Sequence, residues 1–424
     1  DILTSCLRTC TSSIYTSTYT QITKEFECSR LVATIGLSLF IMGLGIGPML
    51  LSPLSEFYGR RPIYLVSFTM FFVWIIPSAV AKNIQTMLIA RFFDGISGSA
   101  FLSVAGGTVG DMFNREQLQF PMLIYTASPF VGPSIGPLFG GFINQYTTWR
   151  WTFYMLLIWS AGNLAAIALL VPETYHPVLL RDKAVRKRQE TGDERWRAPM
   201  EKTNKSIPRT IAFSLLRPFQ LLLLEPMVTN LCLFSAILLG ILYLFFGAFP
   251  LVFQGNHGFT LSQTGLSFLG IFVGMVLGAA TDPFWHKNYV RLIQQREEAT
   301  GEVGGSEPEY RLPPAIAGAV LVPIGLFLFA WTTYASVHWI VPIIGSAVFG
   351  MGMSVQRRWG EGGMGAHAGR TCMYVVQTSL TVLERRTLLV FSGIFTFLVD
   401  AYPLYAASSL AANSFARSSF GGTY

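Results

Sequence analysis

Gly132-Pro133-Ser134-Ile135-Gly136-Pro137-Leu138-Phe139-Gly140-Gly141 lies in an apolar run over residues 120–143. Hydrocarbon about 30 Å thick takes about 20 apolar residues of helix to cross, so the run is long enough to span a membrane. Gly132, Gly136 and Gly140 recur every four residues and share one helix face, where missing side chains let a second helix approach closely. Pro133 and Pro137 remove backbone donors and bend the same helix. A plain packing helix carries one such small-residue pair; a run of them with two prolines is far more specific.

Seven other runs pass the same length test, at residues 31–51, 63–81, 84–107, 151–171, 226–253, 261–280 and 314–333. Two more are imperfect, one beginning at His338 and one over 406–420. The opening residues 1–20, weakly apolar and carrying Arg8, read as the remnant of a first span. Composition agrees. Of 424 residues, 51% are hydrophobic, 14% aromatic and only 12% charged, against about 25% charged in a soluble domain. One large core does not explain the deficit, because soluble cores stop growing near ~250–300 residues. The expected class is an all-α, multi-pass membrane protein whose first partner is the lipid bilayer.

Charge gives the orientation. Eleven lysines and arginines lie between Pro172 and Arg217; Arg60 and Arg61 follow the 31–51 span, and Lys287, Arg291, Arg296 and Arg311 follow the 261–280 span. Alternating spans put all of these on one side, and the opposite loops hold little beyond Lys82, Arg150 and His257. Lys and Arg collect on the cytoplasmic side, so the net charge of +7 reports topology and implies no nucleic acid. The formal glycosylation sequon Asn204-Lys205-Ser206 falls on that side and is expected to go unused.

The basic loop divides the chain into an N-terminal helical bundle (1–171), a cytoplasmic linker (172–217) and a C-terminal helical bundle (218–424). Within the last, residues 338–353 are apolar, 354–387 are rich in Arg and Glu, and apolar sequence resumes over 388–399. The two apolar pieces joined would make one ordinary helix, so 354–387 reads as a non-native insertion. A transcript that retains those codons as its main form would defeat this reading.

Several chemistries are excluded. Cys6, Cys10, Cys28, Cys232 and Cys372 show no paired spacing around histidines, so neither a zinc site nor a disulfide framework is expected. Gly360-Glu361-Gly362-Gly363-Met364-Gly365 matches G-x-G-x-x-G formally, but follows no strand and opens no helix. No G-x-x-x-x-G-K-[ST] is present, which argues against an ATP-driven pump. With no catalytic constellation, no metal ligands and no organic cofactor implied, the chain does not read as an enzyme.

Two further stretches carry function. Ser52-Pro53-Leu54-Ser55-Glu56-Phe57-Tyr58-Gly59-Arg60-Arg61-Pro62 forms a tight turn between two spans, where Gly59 permits the turn and Glu56 and the arginines can pair with one another or with a helix end. In Arg91-Phe92-Phe93-Asp94-Gly95, Arg91 lies about 10 Å into its span. An arginine there costs ~2.5–3.5 kcal/mol and faces a partner or a wet cavity. Asp94 shares its face three residues on. Burial and the neighbouring cation act on the carboxyl in opposite senses, and sequence alone leaves the balance open.

These stretches resemble the major facilitator superfamily. The first is similar to its loop between the second and third helices, G-x-L-A-D-R-x-G-R-R, with Ser52 in place of the leading glycine and Glu56 in place of the aspartate. In that family the loop latches the cytoplasmic side, partly through an acid at the end of the fourth helix, and Asp111 stands at the matching place. Arg91 and Gly95 match the fourth-helix R-x-x-x-G associated with proton coupling. The glycine–proline run, with Leu123 at the place of an upstream glycine, looks like the fifth-helix motif of proton-driven antiporters. Trp149–Tyr154, 172–175 (PETY), 243–253 (YLFFGAFPLVF) and 399–402 narrow the likeness to the fungal multidrug and polyamine proton-antiporter branch.

The resemblance implies a major facilitator fold of two six-helix bundles, here with the first, tenth and twelfth helices missing or damaged. It also implies proton-coupled export of drugs, toxins or polyamines by alternating access from a plasma-membrane monomer. Proton coupling falls to Arg91 and Asp94, and cytoplasmic gating to Glu56, Gly59, Arg60, Arg61 and Asp111. The antiporter helix is marked by Gly132, Gly136, Pro137, Gly140 and Gly141. Tyr243, Phe246, Phe249 and Asp400 are candidates to line a cavity for an amphipathic or cationic substrate, though aromatics on such a span also serve as packing. The alternatives are a uniporter or symporter of the same fold, and a non-transporting or defective member.

Overall fold

The computed structural model describes residues 2–112, 119–193, 195–202, 207–281, 312–354 and 406–423, together with 291, 294, 295 and 298. Helices α1 (Ile2–Ile14), α2 (Tyr19–Glu25), α3 (Arg30–Tyr58), α4 (Arg60–Ala79), α5 (Ile84–Gly98), α6 (Ala100–Met112), α7 (Gln119–Tyr146) and α8 (Trp149–Leu170) form the first bundle. After α9 (His176–Thr191) and α10 (Ile207–Leu224) come α11 (Pro226–Phe249), α12 (Leu261–Ser267), α13 (Leu269–Ala280), α14 (Leu312–Trp331), α15 (Ile340–Ser354) and α16 (Ala406–Thr423). Among the described residues, five stretches are by themselves long and apolar enough to cross a membrane: α3, α4, α8, residues 228–256 and residues 261–278.

Segment 1–20 does not stay a remnant. It is helical through α1, runs through a 3₁₀ turn at Tyr15–Thr18 and continues as α2. Its polarity is accommodated because almost none of it meets lipid. Thr4, Ser5, Arg8, Thr9, Thr11, Ser12, Ser13 and Thr18 are all buried. Its hydroxyls return hydrogen bonds to their own helix, Thr11 Oγ1 to Leu7 O at 2.9 Å and Ser12 Oγ to Thr9 O at 2.7 Å, the local pattern that lets Ser and Thr sit in a helix. Single expected spans are also split. The 84–107 run breaks between α5 and α6 at Ser99, beside Gly98, and Ser99 Oγ donates to Ile96 O at 2.7 Å; such small polar pairs are where helices bend. The 261–280 run breaks at Phe268, and a π-turn over Pro250–Asn256 carries α11 beyond its expected end at Phe253. Residues 355–405, with most of the suspected insertion, lie outside the described residues.

The closest helix pairs of the first bundle recur in the second. The first and fifth spans (α1, α7), second and fourth (α3, α5) and third and fourth (α4, α5) pack as do α11 with α16, α13 with α15 and α14 with α15. Glycines set most of these contacts. A side chain at Gly43 would strike the Phe92 and Ile96 backbone of α5, and one at Gly95 the Phe40 backbone of α3; Gly274 and Gly350 meet Ala347 and Ile271 likewise. Two bundles with internally matched packing are what weakly repeated transporter halves produce.

Replacing Gly136 with Val should overpack the α1–α7 contact and cost about 1–3 kcal/mol, read as a lower melting temperature in detergent. Gly162→Val should leave that temperature much closer to the parent value, because nothing lies within 4 Å of its Cβ position.

Candidate functional site: a buried ion pair and the seams between helices

Helix α7 presents two faces. Gly132, Gly136 and Gly140 lie against α1, where added side chains would strike Thr9 and the Cys6 and Cys10 backbone, then Ser13 and Ile14, then Ser17. Ser13 Oγ donates to Gly132 O at 3.3 Å. The adjoining face, spaced three and four residues apart, carries Ser134, Pro137, Gly141 and Gln145 toward the second bundle. A Cβ at Gly141 would meet Leu261 O and Ser262 of α12, and one at Gly265 would meet Pro137 O. Gln145 Oε1 accepts from Ser262 N at 2.8 Å, and Ser134 Oγ approaches Met275 Sδ of α13 at 4.0 Å. One face of the motif joins helices within a bundle; the other is a seam between bundles.

Arg91 and Asp94 are both fully buried, with Arg91 Nη1 3.8 Å from Asp94 Oδ2. Three elements enclose the guanidinium. Arg91 Nη2 donates to Thr11 O of α1 at 3.0 Å. Its central carbon sits 4.3 Å from the Tyr15 ring centroid, 4.9 Å from Phe40 and 5.8 Å from Phe153. Aromatic faces attract a desolvated cation by about 2 kcal/mol or more, which offsets part of the cost of placing it there. Tyr15 is itself oriented by donating to Ala33 O at 3.1 Å. Neither Asp94 oxygen accepts a hydrogen bond among the described residues.

At the basic end, Arg60 joins three elements. Arg60 Nε meets Asp111 Oδ2 at 3.1 Å, Arg60 Nη1 donates to Ser55 Oγ at 2.6 Å, and the guanidinium lies 4.7 Å over the Tyr175 ring. Glu173, just past α8, organises the turn. Its carboxylate accepts from the first two amides of α4, Arg60 N at 2.9 Å and Arg61 N at 3.1 Å, and from Thr174 N and Tyr175 N. A carboxylate at a helix N-terminus fits both its orphan donors and its dipole. Gly59 has φ +101°, in the region that favours glycine, and a Cβ there would strike Glu173. Burial raises the Tyr175 phenol above its ordinary value, Glu56 and Asp111 add to this and Arg60 opposes it, so the ring stays neutral.

The opposite end has a counterpart. Gln21 of α2 donates to Asn144 O at 2.8 Å and Thr147 O at 3.0 Å, and accepts from Trp149 N at 2.6 Å, joining the end of α7 to the start of α8. Glu25 accepts from Arg150 Nη2 and from Trp149 Nε1, both at 2.6 Å.

The structure therefore gathers Gly59, Arg60, Arg61 and Asp111 at one turn and Arg91 with Asp94 in the interior. Glu56 is exposed and makes no ion pair among the described residues; the acid that ties the turn is Glu173. Phe249 is fully buried among Phe245, Phe253, Phe268 and Phe329, which is packing inside the second bundle. Tyr243, by contrast, bonds to the first bundle, its hydroxyl 3.1 Å from Ser12 Oγ, and Phe246 lies beside it with ring centroids 5.4 Å apart. Asp400 and Leu123 lie outside the residues whose side chains are described. Nothing in the local sequence singles out Glu173, Gln21, Glu25, Tyr15 or Ser12, whose contacts are made across the fold. The α4 amides that Glu173 caps are more than a hundred residues away in the chain.

Two bundles with matched packing meet along a seam that includes glycines, and the first of them encloses a buried ion pair. The chain belongs to the Major Facilitator Superfamily, whose family model matches residues 2–360. It is similar to the efflux pump atB of Aspergillus terreus (60% identical over 381 residues, 90% of this chain and 73% of that protein). It is also similar to the probable drug/proton antiporter YHK8 of Saccharomyces cerevisiae (40% over 423 residues, 99% and 74%), and to the multidrug transporter mdrA of Aspergillus fumigatus (38% over 414 residues, 97% and 62%). Its fold matches that of the xylose transporter XylE from E. coli in a partially occluded inward-open conformation. That match has TM-score 0.61 at 15% identity and covers 100% of this chain and 90% of that one. The protein is a multi-pass membrane transporter and not an enzyme.

Glu173→Ala should destabilise the protein by about 0.5–2 kcal/mol, the cost of removing the acceptor that caps a helix N-terminus. Glu56→Ala should change the detergent melting temperature little, because Glu56 is exposed and makes no ion pair among the described residues.

Proposed function

We propose that the protein exports small amphipathic molecules across the plasma membrane in exchange for protons, acting as a monomer. The observation that carries this reading is the two-faced α7: one face fixes α7 to α1, while the other forms a separable contact with α12 between bundles. Rocking at that seam would expose the interior alternately to the two sides. The basic end is the cytoplasmic one. There Arg60, Asp111 and Glu173 hold the first bundle's turn shut upon itself as part of the cytoplasmic gate, with Gly59 and Arg61 at its corner. Arg91 and Asp94 form the proton-responsive pair, since protonation of Asp94 would change the balance of charge around a guanidinium already held by three rings and one carbonyl. The relatives described as efflux pumps and as a drug/proton antiporter support the direction and the coupling.

Reconstituted protein should accumulate substrate in proteoliposomes only under an imposed proton gradient, and a protonophore should abolish the accumulation. Gradient-independent equilibration would instead identify a uniporter. Arg91→Ala and Asp94→Asn should each lose gradient-driven accumulation, and wild-type accumulation in both would remove the coupling role.

A further inference from the structure

The basic stretch that follows α8 holds two kinds of cation. Among the described residues from His176 onward, its acids are each taken by an arginine: Asp182 by Arg181 at 3.0 Å, Glu190 by Arg186 at 3.9 Å, Asp193 by Arg195 at 3.3 Å and Glu201 by Arg188 at 2.6 Å. Lys183 and Lys187 make no ion pair among the described residues. Lys187 Nζ lies 4.2 Å from the centroid of the exposed Trp196 ring, a contact that orients the ammonium and leaves its charge intact.

Helix α9 has two faces. Val178 is buried, and Arg181, Ala184, Val185 and Arg188 are half-buried, so that side turns inward. Leu179, Leu180 and Lys183 are exposed on the other side, with Lys187 next to them; spacings of three and four residues bring them together. The outward face thus combines two leucines, two lysines and, just beyond the helix, a tryptophan.

The start of α9 is fixed at the level where spans leave the hydrocarbon. Glu173 ties the preceding chain to the first amides of α4, Arg60 N and Arg61 N. The Tyr175 ring lies under the Arg60 guanidinium, and Tyr175 O accepts from Val178 N and Leu179 N, both at 3.1 Å. Nearby, Arg61 Nη2 donates to Ala168 O in the last turn of α8, whose Leu169 and Leu170 are exposed to lipid. Leu179 and Leu180 therefore sit at headgroup depth. Lysine suits that depth, its apolar stem lying along the acyl boundary and its ammonium among phosphates, and tryptophan collects there too.

We propose that the outward face of α9, with Trp196, is a docking surface for anionic phospholipids of the cytoplasmic leaflet. Leu179 and Leu180 enter the headgroup–acyl boundary, and Lys183 and Lys187 meet the lipid phosphates. Because Tyr175 both starts α9 and packs on Arg60, the seated helix also steadies the Arg60–Asp111 contact of the first bundle. This surface needs a membrane around the spans, but neither export nor proton coupling.

Hydrogen–deuterium exchange of the full-length chain in nanodiscs tests it, with phosphatidylcholine alone compared against phosphatidylcholine mixed with phosphatidylserine. A basic residue near an anionic surface adds roughly five-fold in affinity, so α9 amides should exchange at least about five-fold more slowly in the mixed discs. Added salt should shrink that difference. The double variant Lys183→Glu, Lys187→Glu should match the parent in phosphatidylcholine and lose the slowing in mixed discs, and Lys183→Gln with Lys187→Gln should lose most of it. Equal exchange of the parent chain in both discs would overturn the proposal, as would slowing that survives in the Glu variant. The same slowing produced in phosphatidylcholine discs by inorganic phosphate would identify a soluble phosphate ligand and overturn it too.

Discussion

In hydrocarbon, apolar side chains gain nothing by leaving lipid for one another, so helices associate by how closely their backbones approach. That constraint accounts for the glycines of this protein. Gly132, Gly136 and Gly140 remove the side chains that would hold α7 away from α1, and Gly43 and Gly95 do the same for α3 and α5. The second bundle repeats the device through Gly274, Gly325, Gly345 and Gly350. The seam between bundles uses Gly141 and Gly265 where α7 meets α12 and Gly45 against Ser418 where α3 meets α16, and adds polar contacts at Gln145–Ser262 and Ser12–Tyr243.

Charge is distributed by the same logic. Where water is near, carboxylates collect helix ends: Glu173 takes the first amides of α4, and Glu25 takes Arg150 and the Trp149 indole. Both ties connect parts of the first bundle that are far apart in the chain and stiffen it as one body. In the interior, arginines are held by rings and carbonyls. Arg91 has Tyr15, Phe40, Phe153 and Thr11 O; Arg8 has Gly98 O.

Much of this was legible in sequence because it is local. Apolar run lengths marked the spans, the four-residue recurrence of glycine marked the α1-facing side of α7, and the three-residue spacing placed Arg91 and Asp94 on one face. The turn at Gly59 and its pairing with Asp111 followed from a likeness to a known family. What stayed hidden depends on contacts between distant segments. The polarity of residues 2–20 argued against a full span until the neighbours that bury Arg8, Ser12 and Ser13 were known. Glu56 was the nearer acid to Arg60 along the chain, yet Glu173, which approaches from the end of α8, holds the turn. Aromatic residues of α11 looked equivalent in sequence; the fold separates Tyr243 and Phe246, at the seam, from Phe249, inside its own bundle.

The division of α7 into a fixed face and a separable one is tested most directly by spin-label distances in lipid. One label pair would span α7 and α12 at Tyr146 and Gln263, and a second would span α2 and α8 at Lys24 and Trp151. The first pair should show two distance populations whose ratio responds to proton gradient or substrate, while the second keeps one unchanged distance. A single invariant distance for the first pair under every condition, or movement in the second, would contradict the division of faces on which the transport cycle depends.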